Sequence, residues 1–169
     1  MDILKTIISA ESIHIQWRDF LFNATIGSNG IINSNLKNEG DKKTPTGRHK
    51  VIYGYYRPDR ITPPKSSIQL HPLHPSYGWC DEPMDPLYNQ KITKPFCSSH
   101  EDLWREDSLY DLILLTNHNT DPIIPGKGSA IFIHITPPDF SSSAGCLTLQ
   151  KKDLLNIITN CGPELYWEV

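Results

Sequence analysis

Apolar and polar residues alternate with a two-residue period in SIHIQW (12–17) and again in FLFNATIG (20–27), with only Arg18 and Asp19 between, which predicts a strand pair near the N-terminus. The following stretch, 27–49, is rich in Gly, Asn, Lys and Asp and must turn at Gly30, Gly40 and Gly47, so it reads as a loop or hairpin arm without assigned chemistry. HKVIYGYYR (49–57) carries the β-branched and aromatic residues of another strand. DLILLTNHN (111–119) and SAIFIHIT (129–136) are apolar runs of strand length and are predicted as the central strands. Helical spacing occurs in KKDLLNIITNCG (151–162), where Leu154, Ile157, Ile158 and Cys161 fall on one face and Gly162-Pro163 stops the helix. ELYWEV then reads as a closing strand. The pattern predicts a mostly β fold with one or two short helices, in a single domain over 1–169.

Composition adds one unusual feature, fourteen prolines, eight of which cluster from Pro58 to Pro95. Proline lacks an amide donor and disfavours both long helices and central strands, so 58–98 is expected to be a long ordered loop, of the kind that more often covers a site than spaces two elements. SSHEDLWRED (98–107) is expected to start a short helix, with Ser98 or Ser99 as cap and acidic residues in its first turn.

The formal net charge is −3 and no Lys/Arg run exists, so the electrostatic footprint of a nucleic-acid binder is missing. No apolar stretch has the length of a membrane span. At the N-terminus Asp2 stands where a leader needs positive charge and Lys5 interrupts the apolar patch, so no signal peptide is expected. The four cysteines, Cys80, Cys97, Cys146 and Cys161, are then expected as reduced thiols, one of them open to a reactive role.

The sharpest candidate is SSSAGCLTL (141–149): Gly145 allows the bend that would aim the Cys146 thiol and neighbouring amides into one cleft, as an oxyanion site requires. His134 precedes it on the rigid run IFIHI. A thiol is a weak nucleophile until deprotonated, and an adjacent imidazole is the usual means. Such a pair would alkylate rapidly near neutral pH, whereas a buried structural cysteine would not. The bland alternative makes Cys146 a small buried residue and His134 a satisfied histidine.

GRHKVIYGYYRPDR, GWCDEP, YNQ, DLWREDSLYDL, GSAIFIHI and SAGCLTL, in that order, resemble the L,D-transpeptidase catalytic domain (the YkuD-like family), and its short proteobacterial branch in particular. The resemblance runs from about Gly27 to the C-terminus. It implies a β-sandwich or barrel-like fold in which Cys146 attacks a stem-peptide amide of peptidoglycan, with His134 as base and Gly145 and the Cys146 amide near the oxyanion. The thioester would pass to the amine of a second stem, in a 1,3- or 3,3-type cross-link. No obligatory cofactor and no metal is implied; the partners are stem peptides or muropeptides. Two positions depart from the family pattern: Ala144 stands where a histidine is usual and Thr148 where Arg or Asn is usual. These put donor preference in question and keep hydrolysis open, as in carboxypeptidases or amidases of this fold.

Stem peptides carry carboxylates and an amine, so candidate substrate contacts are the anion clamps Arg57, Arg60 and Arg105, together with Trp79, Asp81, Tyr88, Asn89 and Ser143. A rival reading takes His71, His74, Cys80, Cys97 and His100 as zinc ligands, at a spacing foreign to structural fingers. A third keeps the fold as a non-catalytic peptidoglycan-binding module. The substrate implies a periplasmic or cell-envelope location, which the unrecognised export signal leaves in tension with a cytoplasmic one.

Overall fold

A computed structural model describes residues 1–10 and 12–169; Glu11, within the segment read for a leader, lies outside the described residues. Fourteen strands and one α-helix follow one another: β1 Asp2–Ile8, β2 Ile13–Trp17, β3 Phe20–Thr25, β4 Ile31–Ile32, β5 Thr44–Pro45, β6 Arg48–Tyr56, β7 Leu70–Pro72, β8 Tyr77–Cys80, β9 Lys91–Thr93, β10 His100–Asp102, β11 Leu112–Thr116, β12 Phe132–Ile135, β13 Leu147–Leu149, α1 Lys151–Asn160 and β14 Leu165–Glu168. The fold is mostly β, as expected. Among the described residues no helix is long and apolar enough to cross a membrane.

The main sheet runs β11-β12-β13-β3-β2-β1-β14-β6, and β6 pairs back onto β11, so it closes on itself with β7 added along the end of β6. Closure removes the exposed edges that an open sheet of this size would present. Pairing is antiparallel except at β12–β13, β1–β14 and β6–β7. Gly54 on β6 permits the close approach of β7 and β11, since a Cβ there would lie 2.6 Å from the Ile113 carbonyl oxygen.

The two apolar runs are buried on both faces, which is why they show no alternation. Leu112, Leu114, Ile133 and Ile135 face one core with Leu4, Ile15, Trp17, Leu147 and Trp167. Ile113, Leu115 and Phe132 face a second core with Tyr55, Trp79, Leu103, Tyr110 and Cys146. Leu154, Ile157 and Ile158 of α1 are fully buried in the first core, each contributing about 1.5–3 kcal/mol relative to exposure. The helix ends where Cys161 takes extended geometry and its amide still reaches the Ile157 carbonyl.

Four local expectations change. The N-terminal patch is strand β1, inserted between β2 and β14; its Leu4 is fully buried while Ile8 is exposed. The 98–107 segment does not form a helix. Ser98 spends its hydroxyl on Asp85 at 2.5 Å rather than on a cap, and His100 and Glu101 pair with Cys80 and Trp79 of β8. The Pro-rich stretch holds β7, β8 and β9, and β10-β8-β9 form a small sheet over the second core. The 27–49 arm is no antiparallel hairpin: β4 and β5 are parallel, around a 3-10 turn at Ser34–Leu36.

His49 and His118 meet edge-on at 5.7 Å beneath Trp167, one bonded to the Pro45 carbonyl and the other to that of Lys127. Burial pushes both rings down from 6.5, His118 to about 4, while their carbonyl partners oppose it. Between these values the unfolded chain binds protons that the folded chain does not, so stability rises with pH across that window and falls as pH drops through it. Thermal melts should therefore show the unfolding temperature falling as pH is lowered from 7 to 5. A flat profile would mean the rings remain solvated.

Candidate active site

Parallel pairing of β12 and β13 places Ile133 beside Leu147 and His134 beside Thr148, so Phe132, His134 and the residue entering β13, Cys146, lie on the second-core side. The turn that delivers Cys146 depends on Gly145, whose φ is +136° and whose Cβ would lie 2.9 Å from the Lys43 carbonyl oxygen. Ser143 clamps the same turn: its hydroxyl donates to the Cys146 carbonyl at 2.6 Å and accepts from the Gly145 amide at 3.1 Å. Thr44 reaches across from the 27–49 arm, donating to the Gly145 carbonyl at 2.8 Å and accepting from the Gly27 amide at 2.9 Å. The arm is thus a buttress for the cysteine turn. Gly145→Ala combines a strained φ with a backbone clash and should cost about 1–3 kcal/mol in denaturant unfolding, with activity falling further because Cys146 is displaced.

Cys146 and His134 open into one cleft of about 570 Å³. The thiol donates to the Ala130 carbonyl at 3.0 Å, and its sulfur accepts from the Phe132 amide at 3.4 Å. The His134 Nδ1 lies 2.9 Å from the Ile135 carbonyl oxygen. A carbonyl can only accept, so Nδ1 is assigned the proton and Nε2 keeps its lone pair. The Tyr110 ring stands edge-on to the imidazole at 5.0 Å. A backbone carbonyl therefore orients the ring.

Burial pushes the Cys146 thiol up to about 12, with the Glu101 carboxylate adding to it and the Phe132 amide opposing. Burial likewise pushes His134 down to about 4, against the Ile135 carbonyl. Both groups are neutral at pH 7. The rapid alkylation expected of a thiolate pair is accordingly reversed: desolvation dominates any charge pairing in the resting site.

Of the substrate-contact candidates, Arg105, Asp81 and Ser143 line the cleft. The others do not. Arg57 grips Asp59 with two bonds, donates to the Arg105 carbonyl and stacks on Trp104 at 3.8 Å. Arg60 holds Asp111 and the carbonyls of Glu106 and Asp107. Asn89 accepts from the Trp79 indole and the Ala130 amide and donates to the His118 and Asn119 carbonyls, which braces the loop behind the thiol. Tyr88 donates to Glu39. These side chains are committed to fixing the loops and do not line the cleft.

Lys37, Glu39, Glu101 and Tyr110 line the cleft although no site role was read for them, as does His100, read above only as a zinc-ligand candidate. Glu101 had no local signal, since both it and the adjacent His100 line the cleft. Lys37 and Glu39 had none, because only the long-range docking of the arm brings them there. The proposed zinc ligands scatter: His71 packs on Tyr53 and Tyr55, His74 bonds Ser76, Cys97 is exposed and Cys80 is buried. Among the described residues no three His, Cys, Asp or Glu side chains are grouped to hold a metal.

The closed β fold thus brings a cysteine at a glycine turn and a carbonyl-oriented histidine on the adjacent strand into one cleft. The sequence model of the L,D-transpeptidase catalytic domain (YkuD) matches residues 13–164, and the chain belongs to that family. No curated protein matches it.

Proposed function

We propose that the protein is a peptidoglycan L,D-transpeptidase in which Cys146 is the acyl-accepting nucleophile and His134 its base. The carrying observation is the shared cleft in which the Cys146 thiol and a His134 ring with Nδ1 already satisfied stand on adjacent strands. With both groups neutral, proton transfer to Nε2 accompanies attack on the substrate carbonyl rather than preceding it. The tetrahedral oxyanion needs amide donors. The Gly145 amide is held by Ser143, while those of Ala144 and Cys146 make no hydrogen bond among the described residues and can serve. The imidazolium then returns its proton to the departing amine, which leaves a thioester on Cys146. Gly145 contributes conformation, and Ser143 holds the turn. Substrate in this class is extracytoplasmic peptidoglycan, so we place the protein's work in the cell envelope.

The test is incubation with disaccharide-peptide muropeptides followed by mass spectrometry. Cross-linked dimers whose fragmentation gives a 1,3- or 3,3-type bond support the reading. Shortened stems without dimers would make the protein a hydrolase of the same fold.

A further inference from the structure

A second groove, of about 770 Å³, is bounded by the end of β1, the start of β2, the end of β3 and the segment that leads to Cys146. That volume lies within the roughly 300–1,000 Å³ of small-molecule sites. Ile8, Ile13, Ala24, Ile26, Ile31 and Phe140 form its apolar surface. Ile8, Ile31 and Phe140 are 49%, 44% and 36% exposed, so solvent meets this apolar patch directly. Phe140 sits there at a φ of +53°, uncommon for a bulky residue, with its amide donating to the Pro137 carbonyl at 3.0 Å. The polar lining is neutral: among the described residues no charged side chain lines the groove. Ser9 and Ser12 bond one another, and the Thr25 hydroxyl is taken by Thr148 and the Ser141 carbonyl. The Asn23 amide and the Ser28 and Ser142 hydroxyls are exposed and make no hydrogen bond among the described residues.

The groove and the Cys146 cleft share a wall. Phe140 and Ser142 line the groove, Ser141 to Ala144 line the cleft, and Ser142 belongs to both. The wall is pinned to the end of β3. The Ser143 amide donates to the Ile26 carbonyl at 3.0 Å, the Ser143 carbonyl accepts from the Ser28 amide at 2.9 Å, and the Ser143 hydroxyl holds the Cys146 carbonyl at 2.6 Å. The stretch from Ser142 to Cys146 spans at most about 14 Å. The two surfaces differ in charge, since Lys37, Glu39, Asp81, Glu101 and Arg105 line the cleft and nothing charged lines the groove. Resting on the peptidoglycan reading above, we infer that the groove is the subsite for the N-acetylated sugar joined to the donor stem, so that the protein takes disaccharide-peptides in preference to free peptides. That sugar is uncharged, because its carboxyl is spent in the amide to the stem, and the stem carries the charges that the cleft answers. The C–H face of a pyranose ring and an acetamido methyl pack on isoleucine and phenylalanine. Its hydroxyls and acetamido group both donate and accept, as do Asn23, Ser28 and Ser142. A bond within the first three stem residues then lies at the thiol while the sugar occupies the groove.

The test is calorimetry on Cys146→Ala with a disaccharide-tetrapeptide and with the same tetrapeptide free of sugar. The disaccharide should tighten binding about tenfold. In the same background Phe140→Ala and Asn23→Ala should each cut that preference about threefold. Ser28→Trp, which starts from an exposed side chain and fills the groove with its bulk, should abolish the preference. Equal affinities for the two ligands overturn the subsite, as does a preference unchanged in these variants. If one variant fails to fold, the other two decide. A dimer in sedimentation that Ser28→Trp dissolves assigns the groove to a second copy and overturns the sugar subsite. Intact-protein mass of the wild type with the same donor records the Cys146 thioester separately, and its absence overturns the nucleophile reading without touching the binding ratio. Failure of both ligands to bind overturns the peptidoglycan reading and the subsite with it.

Discussion

Cys146→Ala should reduce turnover of muropeptides by about 10⁴-fold or more, to the level of the uncatalysed reaction, because removing a covalent nucleophile removes the pathway. The fold should survive with a modest loss of stability, since alanine retains Cβ in the second core and gives up two weak sulfur hydrogen bonds, with the Ala130 carbonyl and the Phe132 amide. Circular dichroism and thermal melts can check that directly. The other thiols supply the contrast. Cys97 is exposed, and Cys80 and Cys161 are buried away from the cleft lining. Cys97→Ala should behave as wild type, and Cys80→Ala and Cys161→Ala should lose stability but keep kcat per folded molecule. Muropeptide turnover retained in Cys146→Ala, or lost in Cys97→Ala, would overturn the mechanism.

The elements legible in the sequence were those whose burial is decided locally. The runs Leu112–Thr116 and Phe132–Ile135 are buried at every position and, Thr116 and His134 apart, apolar, because both faces are covered, and α1 shows its buried face at Leu154, Ile157 and Ile158. β1 was obscured because Ile7 and Ile8 are exposed while Leu4 is buried, so hydrophobicity there does not track the core. β10 was mistaken for a helix start because Ser98 and the acids after it have capping chemistry; pairing with β8 outweighs that local preference. In the cleft, Cys146 and His134 had been singled out by a glycine turn following a rigid strand, and both line it. The remainder of the cleft was not. Its Lys37 and Glu39 arrive on an arm that is held by Thr44, 101 residues from the Gly145 carbonyl it bonds, and no local pattern encodes such a contact. The arginines read as anion clamps, buried Arg57 and exposed Arg60, are instead engaged by loop carboxylates and carbonyls.

The same burial that makes the site specific should make its thiol sluggish. With the Cys146 thiol pushed up to about 12 from an ordinary 9.0, the thiolate fraction at pH 7 falls about a thousandfold below that of an ordinary thiol, an effect only partly offset by the greater nucleophilicity of the thiolate. Iodoacetamide labelling read by peptide mapping should therefore modify exposed Cys97 long before Cys146 at pH 7. The Cys146 rate should climb close to tenfold per pH unit from 7 to 10, without a plateau, because the titrating group lies above that range. His134, pushed down to about 4 by burial, stays neutral throughout and adds no inflection. A plateau at neutral pH would instead mark a thiolate–imidazolium pair and overturn the concerted proton transfer. Glu101→Gln removes a charge that opposes the thiolate, so the whole rate curve should move to lower pH and labelling at fixed pH should quicken. A general loosening of the cleft would also speed labelling, but it would lower the unfolding temperature, and thermal melts of Glu101→Gln separate it from electrostatic control of the thiol.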